Sequence, residues 1–272
     1  MISDMLPNLT VERNRYDCAA GRRDFILVRP TRKTAPNGLI VMLHGCGQSA
    51  EDFVRLTGMA QLAASHGWAT LWPEQAGADN HLKCWNWFRT AHQRRGFGEP
   101  AIIAGMTETI TMDLGIPTHA VAVAGFSAGA AMALILRDTY ADVFFATVAH
   151  SGVATGVARN GIAALSAMKG EGSIGATNHA ERPLLIIHGG DDTVVDPSNA
   201  ARIAKDDPFA RLVTVDGLGH AWSGGTDGEN FAAPTLPSAS DMVMKTALTT
   251  TERQVQPARH SNPMRIVTRM GG

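Results

Sequence analysis

Apolar residues fall into short continuous runs separated by segments of helical period, and this alternation predicts strands and helices in turn. Residues 1–24 are polar and irregular. DFILVRP (24–30) then predicts a first strand at an antiparallel edge, and GLIVMLHG (38–45) is uniformly apolar, as in a strand covered on both faces. Ser49 with Asp52 three residues on is an N-cap signal, and FVRLTGMAQLAASHG carries the apolar face of one helix ending at Gly67. WATLWP (68–73) is the next strand, stopped by Pro73. Pro100 opens a helix that leads to the strand AVAVAGF (120–126), and the Ala/Leu/Met run beyond Gly129 predicts another helix. Strands at FFATVAHSG (144–152), PLLIIHGG (183–190) and RLVTVDG (211–217) follow. Helices are expected at 160–169, from Pro197, and from about Ser238 to Leu248. Right-handed crossovers between such elements build an α/β doubly wound, mostly parallel sheet. No repeat or linker divides residues 1–250, so one domain is expected, followed by a basic tail, 251–272, with Arg253, Arg259, Arg265 and Arg269.

The pattern breaks in two places. Glu74 to Pro100 is a long irregular insertion rich in Trp, Arg and Gly, and long loops in compact domains are usually functional. The second break is Gly125-Phe126-Ser127-Ala128-Gly129, a G-x-S-x-G turn between strand and helix. That context predicts a nucleophile elbow, in which Ser127 sits at a strained apex and the glycines let strand and helix pack closely.

A serine nucleophile needs a base and a group that orients the base. Downstream of Ser127, the strand LLIIHG runs into Asp191-Asp192, and the strand RLVTVDG runs into Gly219-His220-Ala221-Trp222. His220 is the candidate base. The phase of H-G-x-x-D-x-x-V places the acid at Asp192, with the adjacent Asp191 as the alternative. The oxyanion hole should combine the backbone N–H of Ala128 with that of Cys46 in the loop His44-Gly45-Cys46-Gly47-Gln48. His44, His150 and His188 lie at strand ends, where structural hydrogen bonding is the expectation. No spacing argues for a metal site, and no metal or cofactor is expected.

Composition narrows the partners. In 272 residues, 24 Lys and Arg against 25 Asp and Glu give a net charge of −1, so no global field recruits nucleic acid or an anionic membrane. No window approaches the ~20 apolar residues that span a bilayer. The start, MISDMLPNLTVERNRYD, lacks a basic region followed by an apolar core, so a cytoplasmic chain is expected unless a signal has been trimmed. Cys18, Cys46 and Cys84 allow at most one disulfide.

LHGCGQSAEDF (43–53), WPEQ (72–75), CWNWF with RRGFGEP (84–100), GFSAGAAM (125–132), the H-G-x-x-D loop and GHAWSGG (219–225) together resemble the esterase family typified by polyhydroxybutyrate depolymerases. The resemblance spans roughly residues 22–248. It implies an α/β-hydrolase fold without a large lid domain, a triad of Ser127, Asp192 and His220, no cofactor, and an acyl-enzyme mechanism on a linear carboxylate polymer. Within the family the chain looks closest to poly(aspartic acid) hydrolases, so amide cleavage in that polyanion is the leading expectation. Polyhydroxyalkanoate depolymerase and small-substrate carboxylesterase are the alternatives, and a catalytically silent polymer-binding protein is the alternative outside enzymes. The chain would act as a monomer or homodimer.

The insertion supplies substrate candidates. His81, Lys83, Arg89, His92, Arg94 and Arg95 occur with no acid between Asp79 and Glu99, which suggests a cationic rim, with Lys83 and Arg89 as binding residues; a merely solvated loop is the competing expectation. Trp85, Trp87 and Trp222 are candidates for a cleft wall, or else core aromatics. Proximity of the two loops makes a Cys46–Cys84 disulfide a hypothesis.

Overall fold

The computed structural model describes residues 2–32, 34–172 and 179–255. A short helix, α1 (Ile2–Met5), precedes the strands β1 (Leu9–Cys18), β2 (Gly21–Pro30) and β3 (Leu39–Leu43). Helices α2 (Ala50–Thr57) and α3 (Met59–Ser65) lead to β4 (Ala69–Pro73). After the insertion come α4 (Gly98–Asp113), β5 (Val121–Phe126), α5 (Ala128–Thr139), β6 (Ala146–His150) and α6 (Gly161–Met168). The chain continues through β7 (Leu184–Gly189), α7 (Ser198–Asp206), β8 (Ala210–Val215), β9 (Trp222–Ser223), β10 (Ala232–Ala233) and α8 (Ala239–Val255).

Eight strands form one sheet in the order β1-β2-β4-β3-β5-β6-β7-β8. The pairs β1–β2 and β2–β4 are antiparallel, and the remaining pairs are parallel. Alternate residues of each strand serve opposite cores, as the pleat requires. Leu39, Val41 and Leu43 of β3 join the cluster beneath α4 to α7, whereas Ile40 and Met42 join the one that receives α1, α2, α3 and α8. The apolar strand runs of the sequence are thus covered on both faces. The expected α/β-hydrolase architecture, without a large lid domain among the described residues, is the one observed.

Four elements differ from expectation. The first is β1, read from sequence as irregular. Its ten residues pair in register with β2 through a two-residue turn, so β1, not residues 24–30, is the antiparallel edge. An edge strand half open to water carries charges that hide its period, and charged edges also discourage intermolecular pairing. Second, the single helix expected between Ser49 and Gly67 is two, because Gly58 at φ 60° caps α2 with its N–H on Val54 O. The Ser49–Asp52 capping box is present as anticipated. Third, the two-stranded parallel β9–β10 ladder follows His220 directly and had no sequence signature. Fourth, α8 runs to Val255, so the first residues assigned to the tail, including exposed Arg253, are helical. Arg259, Arg265 and Arg269 lie outside the described residues.

Candidate active site

β5 ends at Phe126 and α5 begins at Ala128, which leaves Ser127 alone to reverse the chain. It does so at φ 55°, ψ −118°, a conformation that a non-glycine residue holds only when its surroundings impose it. Close packing imposes it here. A Cβ on Gly125 would lie 2.2 Å from the carbonyl oxygen of Gly129, and one on Gly129 would lie 2.1 Å from that of Leu43. Only glycine fits between β5, α5 and β3. The Ser127 N–H donates to His150 O at 2.9 Å, and the side chain stays partly exposed.

The structure brings Ser127, His220 and Asp192 into one hydrogen-bonded line. Ser127 Oγ lies 3.0 Å from His220 Nε2, and His220 Nδ1 lies 2.8 Å from Asp192 Oδ2. Asp192 Oδ1 accepts the N–H groups of Val194 and Val195, at 2.9 Å each. Burial would raise this carboxyl, but hydrogen bonds from His220, Val195 and Val194 outweigh it and hold Asp192 below the usual carboxylate range. An ionised Asp192 fixes the proton of His220 on Nδ1, so Nε2 presents its lone pair to the serine hydroxyl. Asp191 is exposed, and its N–H is bound to Leu218 O. Gly189 makes this approach of two loops feasible, since a Cβ there would meet Leu218 O at 2.2 Å.

The N–H of Cys46 has no hydrogen-bond partner among the described residues, and Ala128 opens α5, where the first N–H groups lack intrahelical acceptors. The loop carrying Cys46 is held from several sides. Gly45 N–H donates to Gln48 Oε1 at 2.8 Å, and Gly47 N–H to Leu82 O at 2.8 Å. Trp85 Nε1–H donates to His44 O at 3.0 Å, and Cys46 is disulfide-bonded to Cys84, as hypothesised. Buried His44 accepts the Gln75 N–H on Nε2 and faces Gly45 O with Nδ1, and burial depresses it to about 4.

Glu99, which sequence reasoning passed over, organises the insertion. It is 1% exposed and accepts hydrogen bonds from Gln75 Nε2 (2.6 Å), Asn86 N (2.7 Å), Asn86 Nδ2 (2.7 Å) and Arg23 Nη2 (3.3 Å). Burial works against its charge, and neighbouring His92 with the bonds from Gln75 and Asn86 prevails, so its carboxyl too lies below the ordinary range. Its only trace in the sequence is its place at the end of an acid-free stretch.

Three aromatic assignments need correction. Trp85 and Trp222 are fully buried and Trp87 is 6% exposed, so none presents a cleft wall. Trp222 stacks on His150 at 5.1 Å, meets Phe53 edge-on, and donates Nε1–H to Ser240 Oγ. It anchors the His220 loop to the core. An indole whose N–H finds a buried partner needs no solvent edge. His150 is pushed down to about 3 by burial, and His188 is lowered by burial while its Nε2 faces Val195 O at 2.8 Å. Both are neutral structural groups, as is His44.

The loop cations are divided. Arg95 grips Asp142 with two 2.7 Å bonds and lies over the Tyr140 ring, and His92 faces buried Glu99. Lys83 Nζ is 3.5 Å from Glu74. His81, Arg89 and Arg94 remain exposed without an ion pair among the described residues. Arg89 lines a cavity of about 530 Å³ with Arg23, Asp79 and Glu99, which neither Ser127 nor His220 borders.

No group of His, Cys, Asp and Glu side chains among the described residues is placed to hold a metal, and no helix among them is long and apolar enough to cross a membrane.

The poly(3-hydroxyalkanoate) depolymerase C of Paucimonas lemoignei is 30% identical over 183 residues, covering 62% of this chain and 44% of that protein. A probable acetylxylan esterase A of Aspergillus clavatus is 31% identical over 196 residues, 65% of this chain and 63% of that protein. The chain thus spans about half the length of the curated relatives it matches. The structure of an acetyl xylan esterase from Aspergillus awamori superposes with a TM-score of 0.67 at 18% identity, over 78% of this chain and 94% of that one, a likeness of fold. Residues 26–231 match the Esterase PHB depolymerase family, and the chain belongs to it.

Proposed function

We propose that this chain hydrolyses carboxylic esters through an acyl-enzyme on Ser127. The observation that carries this is the continuous relay from Ser127 Oγ through His220 to Asp192; the N–H of Cys46, without a partner among the described residues, and the first N–H of α5 are the oxyanion donors in this reading. Ser127 Oγ attacks the ester carbonyl as His220 Nε2 takes its proton. The oxyanion is received by the N–H groups of Cys46 and Ala128. His220 then protonates the departing alcohol, and water, deprotonated by the same nitrogen, releases the acid.

The matched relatives are named for ester substrates, a polyester and an acetylated xylan. That favours ester over the amide of poly(aspartic acid). The pairing of Arg95 and the engagement of His92 and Lys83 point the same way, because they thin the cationic rim which a polyanion would use. The same relay serves a segment of a linear polymer as well as a small ester. The Cys46–Cys84 disulfide weighs against the cytoplasmic expectation, since reducing compartments do not maintain such bonds.

Product analysis by mass spectrometry separates the readings. Wild type and Ser127→Ala are each given a short hydroxybutyrate oligomer and poly(aspartic acid). Shortened hydroxybutyrate from wild type alone is expected. Shortened polyaspartate with intact polyester would overturn the ester reading and restore the amide one. Failure of Ser127 to react with a fluorophosphonate would leave a binding protein.

A further inference from the structure

Phe231 is an aromatic residue placed where its own backbone resists it. It adopts φ 65°, in the left-handed region, yet its side chain is 46% exposed. Bulky residues enter that region only under constraint. The constraint is the short ladder after His220: the Trp222 N–H donates to Phe231 O at 2.7 Å, and Ala232 then pairs with Trp222. The result is a half-exposed ring that reaches the triad through one intervening ring, Phe126. Phe231 lies 6.2 Å from Phe126, the residue before Ser127, and the same Phe126 ring lies 5.0 Å from His220. A buried core role does not account for a half-exposed ring held at an unfavourable φ, since glycine would serve the ladder better.

The direction of proton transfer says which part of an ester would meet this ring. His220 Nε2 delivers a proton to the leaving oxygen, so the alcohol portion of the substrate lies on the His220 side of Ser127, opposite the oxyanion donors. We propose that Phe231 is a specificity residue that contacts the alcohol portion of the ester and favours an apolar one. The contact exists only until the alcohol departs, so Phe231 acts on acylation and not on hydrolysis of the acyl-enzyme. This inference rests on the ester reading above.

The test uses alkyl acetates followed by acid release, with benzyl acetate and methyl acetate as the pair, on wild type, Phe231→Gly, Phe231→Ala and Phe231→Tyr. The ratio of kcat/KM for benzyl over methyl acetate should fall about tenfold in the Gly and Ala variants, the size of a lost apolar contact, and return in the Tyr variant. Discrimination between a butyrate and an acetate of one alcohol should not follow. Phe231→Gly should also melt about 2 to 4 °C above Phe231→Ala, because glycine adopts the left-handed backbone freely. Equal loss on benzyl and methyl acetate would overturn the proposal and leave Phe231 a prop for Phe126. An unchanged ratio would overturn it as well. If wild type turned over neither acetate, the ester reading would fail first and take this inference with it.

Discussion

Two regions shape the space around Ser127, and they hold their geometry by different physics. The elbow of β5 and α5 is local. Two glycines, four residues apart in the chain, allow backbone to touch backbone, and the strained serine follows. The Cys46 loop and the insertion that braces it are joined by contacts far apart in sequence: a disulfide spanning 38 residues, a buried indole on His44 O, and the Glu99 network. One is steric and tolerates nothing; the other is polar and redundant. Substitutions should therefore fail abruptly in the first region and by degrees in the second.

The sharpest break is Gly129→Ala. Its methyl has no space beside the Leu43 carbonyl, so β3, β5 or α5 must move, at a cost above ~4 kcal/mol. Loss of the cooperative unfolding transition, or of soluble protein, is the expected outcome; a stable variant would show that the elbow is more pliant than its packing indicates. In the insertion, Cys84→Ser should remove roughly 3 kcal/mol of stability through the opened loop. Activity should decline but persist, because Gly47 N–H and Trp85 still pin the loop. Chemical denaturation and esterase assays of the same sample would show both. A total loss of turnover with folding intact would mean that the disulfide alone positions Cys46.

Acid should expose the neutral histidine at the start of the Cys46 loop. His44 ordinarily titrates at 6.5, and in the fold it is held to about 4. The unfolded chain takes up this proton as pH falls through 6.5 while the folded chain refuses it. Stability is therefore whole above that value and is lost downward toward about 4, by about 3 kcal/mol for this residue. His150 acts in the same direction. Asp192 and Glu99, lowered instead, lose their contributions only below the ordinary carboxylate range. Denaturant midpoints at pH 7 and pH 5 should differ, and His44→Asn should shrink the difference. The smallest effect expected is from Arg95→Ala. An exposed pair with Asp142 contributes under about 1 kcal/mol, and the variant should retain full activity toward small esters.

The same contrast explains what could be read from the sequence. The elbow, the parallel core strands and the order Ser127, Asp192, His220 were legible, because a strand-turn-helix and a loop after a strand are local patterns. Asp192 against Asp191 needed the structure, since adjacent residues differ only in the direction their side chains take. The hub at Glu99 was invisible because its partners come from Arg23, Gln75 and Asn86. The tryptophans misled for a related reason: composition cannot tell a buried indole with a partner from an exposed one. Strand β1 was lost under its surface charges, and Phe231 under an ordinary loop sequence.

The central claim, an acyl-enzyme on Ser127, is most directly tested by rapid acid quench during turnover of p-nitrophenyl acetate, followed by peptide mass analysis. A peptide containing Ser127 should carry one added acetyl group in wild type, and the corresponding peptide of Ser127→Ala should carry none. Turnover with that peptide unmodified, or acetylation located on another residue, would contradict it.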